Sequence, residues 1–386
     1  MTSCKTQKTI TQNQPAASEI SDTLQIEPPK PIYVTQEGDT LLSLEEEISI
    51  DLSNVQPDSL SIVAVGDIMM GTNFPNDSYL PADSAKWLWK SVKPYLQEAD
   101  LTFGNLEGVI LDEGGEAKEC KNPKACYLFR TPDHLARHFK QNGFDMLSLA
   151  NNHANDFGKA GRTNTQAVLD SLGITYAGSI ELPFSKTHSK RLRVGIVATS
   201  PNKGTLIIHQ EDNIASIVNQ LDSLNDIVIV SFHAGAEGRK NKHVTRKREY
   251  YYGEDRGNVY EFSHRMIDEG ADLLIGHGPH VPRAIEVYKE RIIAYSLGNF
   301  LTYGRFNLRR ESGEAPLLKV WVDAEGKFLS GQIESFYQDY ALGPRPDTLQ
   351  RAFKTIQNLS KEDFPESPVT FDDSGRIFYL QNEKQN

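Results

Sequence analysis

Short runs of apolar, largely β-branched residues recur along this chain, and most of them end in a residue that can bind a metal ion or a proton. Such runs predict buried strands, and the stretches between them carry apolar residues at helical spacing. Strands that alternate with helices form a mostly parallel or mixed sheet covered by helices. Since the carboxyl ends of such strands lie at one edge of the sheet, residues far apart in the sequence should converge there.

The residues at these strand ends form a candidate metal site. Each of them alone has an ordinary structural explanation, such as a turn aspartate, a surface carboxylate or a core histidine. Together they offer the mixture of oxygen and imidazole donors that suits Mn²⁺, Fe²⁺, Zn²⁺ or Ni²⁺, bound as one ion or as two that share a carboxylate. The candidate ligands are Asp67, Glu107, Asn152, His233, His277 and His280.

Two short motifs give the strongest signal. His153 and Asp156 lie close enough in sequence for Asp156 to orient the imidazole, which would make His153 a general acid. His277 and His280 flank a Gly-Pro turn directly after a predicted buried strand, and packing alone gives no reason for both histidines. Both motifs therefore favour chemistry at the predicted sheet edge.

Charge argues against two classes of protein. The formal net charge of -11 disfavours binding to nucleic acid or to an anionic lipid surface, since both need a basic face. No apolar run reaches the roughly 18 residues that a membrane span needs. Residues 240–256 are locally basic and aromatic. They form either a solvated loop or a segment that overhangs the site, where Arg246 and Arg248 would hold an anionic polymer. Further candidates for lining a substrate pocket are Asn105, Asn299 and Arg305.

The three cysteines point to an extracytoplasmic protein. Cys4 follows a small residue and precedes a polar stretch, as the lipid-carrying cysteine of a bacterial lipoprotein does, and we expect its signal peptide to have been removed from this sequence. The alternative is a chance cysteine in a polar tail. A short loop with a central proline joins Cys120 and Cys126, which favours a disulfide over a metal site. A disulfide fits an oxidising compartment.

The chain divides into three segments. Residues 1–31 are polar and rich in Thr, Gln, Ser and Pro, which predicts a disordered tether. Residues 59–340 form the predicted α/β domain. Residues 341–386 contain a predicted helix and strand, which we expect to pack on the same domain.

Six motifs resemble, in order, those of the CapA-type capsule and poly-γ-glutamate biosynthesis family. That family is similar to the calcineurin-like metallophosphoesterases. The resemblance implies a four-layer α/β/β/α sandwich, with mixed sheets, helices on the outer faces and a two-metal site. The motifs are VGD (65–67), GNLE (104–107), NNHANDFG (151–158), SFHAGAE (231–237), GADLLIGHGPHV (270–281) and YSLGNF (295–300).

The resemblance also implies roles for the candidate residues. Asp67 would bind a first metal, and Asn152 a second metal beside the general acid His153. The other imidazole ligands would be His233, His277 and His280. Two motifs depart from those of the wider superfamily. Met69 occupies the place of a usual histidine, and Asn105 and Glu107 stand in the region of a usual bridging aspartate. We expect Glu107 to bridge, because a bridge between cations favours a negative charge.

Two functions follow from these observations. The first is a metal-dependent hydrolase or transferase that acts on a phosphoester or amide of a capsule or poly-γ-glutamate polymer, and the pairing of His153 with Asp156 favours it. The second is a non-catalytic protein that binds the polymer or assembles its synthase, and Met69 favours it. In both cases we expect a lipid-anchored protein of the cell envelope. Its expected partners are an anionic polymer or its precursor and a membrane-bound polymer synthase.

Overall fold

Two large β-sheets organise the protein, and a computed structural model describes its residues 59–119 and 126–379. The expectations for the tether over residues 1–31 and for lipidation of Cys4 lie outside the described residues. In the described part of the chain, no helix has the length and apolar character needed to cross a bilayer.

The strands in the first half of the chain are β1 (Leu60–Met69), β2 (Leu101–Leu106), β3 (Val109–Ile110), β4 (Arg130–Thr131), β5 (Met146–Ser148), β6 (Thr175–Ala177), β7 (Phe184–Ser189) and β8 (Leu192–Thr199). The strands that follow are β9 (Ile227–His233), β10 (Tyr250–Tyr251), β11 (Glu254–Asp255), β12 (Leu273–His277), β13 (Ile285–Tyr288), β14 (Arg291–Ala294), β15 (Asn299–Thr302), β16 (Glu314–Val322), β17 (Phe328–Asp339), β18 (Gly343–Pro346), β19 (Val369–Phe371) and β20 (Arg376–Tyr379). The α-helices are α1 (Lys93–Leu96), α2 (Asp133–Gln141), α3 (Gly158–Leu172), α4 (Glu211–Asp222), α5 (Val259–Asp268) and α6 (Arg351–Asp363).

Both large sheets are mixed. The first has the order β19-β20-β17-β16-β1-β2-β5-β6, with β15 beside β1 and β18 beside β17. In it β1 runs parallel to β2 and β15 and antiparallel to β16. The second sheet has the order β13-β14-β12-β9-β8-β7. Its four inner strands are parallel, and β7 and β13 at its two edges are antiparallel to their neighbours.

The two sheets pack face to face, and helices cover their outer surfaces. Ile62 and Phe103 of the first sheet share one apolar core with Ile229 and Ile275 of the second. The opposite face of the first sheet packs against α2 and α3, and the opposite face of the second packs against α4 and α5. The predicted four-layer α/β/β/α sandwich is therefore confirmed. Truncating Phe103, which is completely buried, would cost about 3–5 kcal/mol.

The helix predicted over residues 85–99 is the clearest departure from the sequence-based expectation. The structure has a 3-10 helix (Lys86–Trp89) and the single α-helical turn α1 in its place. Pro94 explains the break, because it lacks an N–H and its ring excludes a continuous helix through the preceding turn. It occupies the first turn of α1, where a proline is tolerated.

A β-bulge in β1 determines which way Asp67 faces. Val63 and Val65 point to the outer core and Ile62 and Ala64 to the inner core, so simple alternation would direct Asp67 outward. The pairing registers of β1 shift at this position, and a bulge reverses the alternation beyond it. Asp67 therefore points into the space between the sheets.

Close approach of two strands requires glycine beside this bulge. A Cβ atom on Gly66 would lie 2.0 Å from the carbonyl oxygen of Gly298. Without that atom, the Asp67 N–H can donate to the same carbonyl over 2.9 Å. The glycine thus allows β15 to lie against β1 at the end where the candidate site is built.

Candidate metal centre

The carboxyl ends of strands from both sheets form the candidate site. Asp67 lies at the bulge of β1, and Glu107 directly follows β2. His233 and His277 are the last residues of β9 and β12, and they are paired neighbours in the parallel register. His280 lies in the turn after β12, with a φ of 56°. The convergence that the sequence predicts is therefore present.

Three imidazoles surround the completely buried Asp67 carboxylate. His280 Nδ1 lies 2.9 Å from Asp67 Oδ2, while His277 Nδ1 and His233 Nδ1 lie 3.4 Å and 3.9 Å from Oδ1. His280 Nδ1 also lies 3.1 Å from Asn299 Oδ1. With two acceptors beside Nδ1, the proton of a neutral His280 belongs there, which leaves Nε2 free as a metal ligand.

Glu107 faces the same space from the first sheet. Its Oε1 atom lies 3.6 Å from His280 Nε2 and 3.9 Å from His153 Nε2. Ligand atoms of Glu107, His233 and His280 all lie within 4.8 Å of one another. A single cation could therefore contact all three residues.

Buried polar atoms without partners indicate that these residues fit a cation. Both carboxylate oxygens of Glu107 are buried and accept no hydrogen bond from the described part of the chain. Nε2 of His233, both ring nitrogens of His277 and Oδ1 of Asn152 are likewise buried without a hydrogen-bond partner among the described residues. An unpaired buried carboxylate is costly unless a cation or proton neutralises it. The donor set of carboxylate and imidazole groups suits a divalent transition metal.

The pKa values of these residues are shifted because several titratable groups are buried close together. Burial raises the pKa of Glu107 well above its usual range. Burial alone would raise the pKa of Asp67, but the imidazoles beside its carboxylate, above all His277 and His280, hold it well below its usual range. Burial opposes the charged form of His280, yet Glu107 and Asp67 raise the pKa of that imidazole to about 10. Burial lowers the pKa of His233 well below its usual range, which keeps this imidazole neutral as a ligand must be.

His153 borders the cluster and is held in a fixed orientation. Its Nδ1 atom lies 2.7 Å from Asp156 Oδ2, which also accepts the Phe129 N–H over 2.8 Å. The Phe129 ring stacks on the imidazole with centroids 4.1 Å apart. The Nε2 atom thus remains directed toward Glu107. This is the contact that the spacing of His153 and Asp156 predicts.

Lys118 completes this arrangement through its contact with Asp156. Its Nζ atom lies 2.8 Å from Asp156 Oδ1 and donates to the Asn152 carbonyl over 3.1 Å. Burial would raise the pKa of Asp156, but His153 and Lys118 lower it, so this carboxyl stays ionised. Lys118 belongs to a polar loop without a motif, and no pattern in the sequence signals its role.

Asn105 and Asn299 lie within the cluster rather than at its surface. Asn105 is completely buried and donates to Asp67 Oδ1 over 2.8 Å. Asn299 is 1% exposed, and its Nδ2 donates to the carbonyls of His280 and Ser312. These contacts orient the candidate ligands. Substrate contact, the role expected from the sequence, fits neither buried residue.

Arg246 and Arg248 are not brought to the cluster. Arg246 is bound to Glu366 and to the Asp363 carbonyl, and it stacks over Tyr260. Arg248 is paired with Asp255 over 2.6 Å. Both guanidinium groups are therefore paired with acidic partners, which favours the solvated-loop alternative over a segment that holds a polymer above the site.

Of the predicted disulfide pair, only Cys126 is described. Cys126 packs beside a small apolar cluster of Val109, Leu128 and Phe157. Cys120 lies outside the described residues, so the bridge stays a prediction.

A family model matches the part of the sequence that contains this site. Residues 61–303 match the model described as "Bacterial capsule synthesis protein PGA_cap", and this range contains every candidate ligand. The chain belongs to the PGA_cap family. This PGA_cap protein is 28% identical over 263 residues to "Capsule biosynthesis protein CapA" of Bacillus anthracis, which is 63% of this chain and 60% of that protein. It is 28% identical over 261 residues to "PGA biosynthesis protein CapA" of Bacillus subtilis strain 168, which is 63% of each chain. It thus spans less than two thirds of the length of these relatives.

Solved structures are also similar to this PGA_cap protein. A phosphatase from Mycoplasma pneumoniae is 13% identical with a TM-score of 0.45, covering 78% of this chain and all of that one. A 5'-nucleotidase precursor from Thermus thermophilus is 12% identical with a TM-score of 0.39, covering 79% of this chain and 59% of that one.

Proposed function

We propose that this PGA_cap protein is a metal-dependent hydrolase or transferase that acts on a phosphoester or amide of an anionic envelope polymer or its precursor. One observation carries the proposal. The buried carboxylate of Glu107, which accepts no hydrogen bond from the residues that the structure describes, faces the His280 imidazole on one side and the oriented His153 on the other. Metal binding alone gives no reason for an oriented histidine such as His153 beside this carboxylate.

The proposed ligands are Asp67, Glu107, Asn152, His233, His277 and His280. A divalent cation bound there supplies Lewis acidity toward a substrate oxygen and lowers the pKa of a bound water. Asp67 and Glu107 neutralise its charge, and Asn105 and Asn299 keep their neighbours in place.

His153 is the proposed general acid. Because Asp156 accepts the Nδ1 hydrogen, Nε2 is the atom that can hold a proton for the leaving group. Lys118 keeps Asp156 ionised, and the Phe129 ring prevents the imidazole from turning away. His153 thus presents its proton at the border of the metal centre.

The alternative proposal is a non-catalytic protein that binds polymer or assembles a synthase. Met69 supports it, because this side chain occupies the place of a usual ligand histidine. Its sulfur accepts the Gly71 N–H over 3.2 Å and offers no imidazole to a metal. A cell-envelope location, a lipid anchor on Cys4 and a membrane-bound synthase as partner are part of both proposals. The relatives' names as capsule and PGA biosynthesis proteins support the location.

A turnover assay separates the two proposals. The manganese-loaded protein is incubated with p-nitrophenyl phosphate, bis(p-nitrophenyl) phosphate and γ-glutamyl p-nitroanilide. The enzyme proposal expects release of nitrophenol or nitroaniline that falls about 100-fold or more in His153→Ala. His134→Ala is the matched control, since His134 is exposed on α2. Absence of turnover, or equal turnover in His153→Ala, would favour the non-catalytic alternative.

A further inference from the structure

Arg305 lies beside the metal centre and has no acidic partner among the residues that the structure describes. Its guanidinium lies over the rings of Tyr79 and Tyr127, at 4.5 Å and 4.9 Å from their centroids. The guanidinium's one hydrogen bond to the described part of the protein is a long one, from Nη2 to the Cys126 carbonyl over 3.4 Å. Among residues 59–119 and 126–379, no carboxylate lies within the 4.0 Å of an ion pair with it.

The position of this group follows from the fold. Arg305 lies in the loop after β15, and Tyr79 lies in the loop after β1. These two strands carry Asn299 and Asp67 at the same edge of the sheet. The loops that follow them therefore lie at the rim of the metal centre.

Aromatic contacts connect Arg305 to the cluster itself. The ring of the next residue, Phe306, lies 5.7 Å from the His280 ring and 5.1 Å from the Phe129 ring. Phe129 in turn stacks on His153. Tyr127 precedes Phe129 by two residues and is 45% exposed, so this group of aromatic residues extends from the cluster to the protein surface.

Stacking leaves the chemically useful part of this side chain free. Aromatic rings occupy the faces of a guanidinium, while its N–H groups point outward in its plane. A planar cation held in this way loses little freedom when it binds an anion. In a protein of net charge -11, a local cation of this kind is needed to retain an acidic molecule. Arg246 and Arg248 do not serve this purpose, because acidic side chains already pair with them.

We propose that Arg305, held between Tyr79 and Tyr127, forms an anion subsite that binds a carboxylate or phosphate group of the substrate at the rim of the metal centre. Its importance for turnover rests on the proposed function, but its binding of an anion does not. The two are therefore tested separately.

The test is calorimetric titration of the full protein after metal removal with a chelator, so that a bound cation contributes nothing. The probes are tri-γ-glutamate for a carboxylate and inorganic phosphate for a phosphoryl group. We expect Arg305→Gln to weaken binding of at least one probe about tenfold. Arg305→Lys should weaken it less, because the charge remains while the planar N–H groups are lost. Arg309→Gln is the matched control, since Arg309 is exposed in the same loop.

Further variants keep the result interpretable. Tyr127→Leu should weaken probe binding as well, because only Tyr79 then holds the guanidinium in place. This variant leaves Arg305 itself unchanged, so it tests the subsite even if the arginine variants misfold. His277→Ala with His280→Ala should retain probe binding, which separates the subsite from the metal centre. A loss for tri-γ-glutamate alone identifies a carboxylate, and a loss for phosphate alone identifies a phosphoryl group. Equal affinities in wild type, Arg305→Gln and Tyr127→Leu, or no binding by wild type, would overturn the proposal.

Discussion

Glu107 and His280 face each other across the two sheets, with Oε1 and Nε2 3.6 Å apart. Glu107 follows β2 of the first sheet and His280 follows β12 of the second. The candidate ligands come from both sheets, so the centre is complete only after the sheets have packed. Ions that bind this centre should therefore stabilise the folded state and shift its melting temperature with metal concentration.

Replacing Glu107 by Gln should separate metal affinity from stability. The amide cannot neutralise a cation, so we expect affinity for Mn²⁺ to fall by more than about 100-fold. The melting temperature of the metal-free protein should not fall, because the amide avoids the cost of an unpaired buried carboxylate. Equilibrium dialysis and differential scanning calorimetry measure the two quantities. Glu116→Gln is the exposed control. Unchanged Mn²⁺ affinity in Glu107→Gln would contradict the assignment of Glu107 as a ligand.

Asp156→Asn should reduce turnover without reducing metal content. One oxygen of Asp156 accepts from His153 and Phe129 and the other forms an ion pair with Lys118, and a neutral amide cannot maintain all three contacts. We expect kcat to fall about 10–100-fold with KM little changed, since orientation of His153 is lost while the ligands remain. Steady-state kinetics and elemental analysis check this, with the exposed Asp77→Asn as control. A parallel loss of metal would show instead that Asp156 supports the ligands.

Asp272, which lies far from the metal centre, should make the free energy of unfolding depend on pH. This residue precedes β12, accepts the Val228 N–H over 2.8 Å and pairs with Arg291. Burial raises its pKa to about 6. Because this exceeds the value near 4 of an unfolded chain, the folded protein binds the proton more tightly. This tighter proton binding adds to the free energy of unfolding below about pH 4, and the added stability is lost as the pH rises through about 6.

A variant isolates this contribution. Asp272→Asn does not titrate, so the free energy of unfolding of wild type minus that of the variant should fall by up to about 3 kcal/mol between pH 4 and pH 7. Urea unfolding at both pH values measures the difference, and groups that titrate in both proteins cancel. A difference independent of pH would show that the pKa of Asp272 is not raised in the folded protein.

The sequence was sufficient to predict the general architecture and the meeting point of the site. Apolar runs identified the inner strands, and the polar residues that end them converge as parallel strand ends require. Asp67 is instructive, because its position was predicted while the bulge that turns it inward was not. A bulge depends on pairing with β2 and β15, which a single strand's pattern does not contain.

Contacts between residues that are far apart in the chain could not be predicted from the sequence. Basic and aromatic residues surround Arg246 in the sequence, as in a polymer-binding loop. Its partner Glu366, however, lies much further along the chain. Lys118 acts through Asp156, and nothing near it in sequence marks that contact. The helix expected over residues 85–99 could have been corrected from Pro94 alone.

Metal content tests the central claim most directly. Wild-type protein and the double variant His277→Ala, His280→Ala are equilibrated with Mn²⁺, desalted and measured by inductively coupled plasma mass spectrometry. His134→Ala with His188→Ala is the control, since both of these histidines are exposed. We predict one or two ions per chain in wild type and in the control and none in the double variant. A wild-type protein without metal, or a double variant with the same metal content as wild type, would contradict the account.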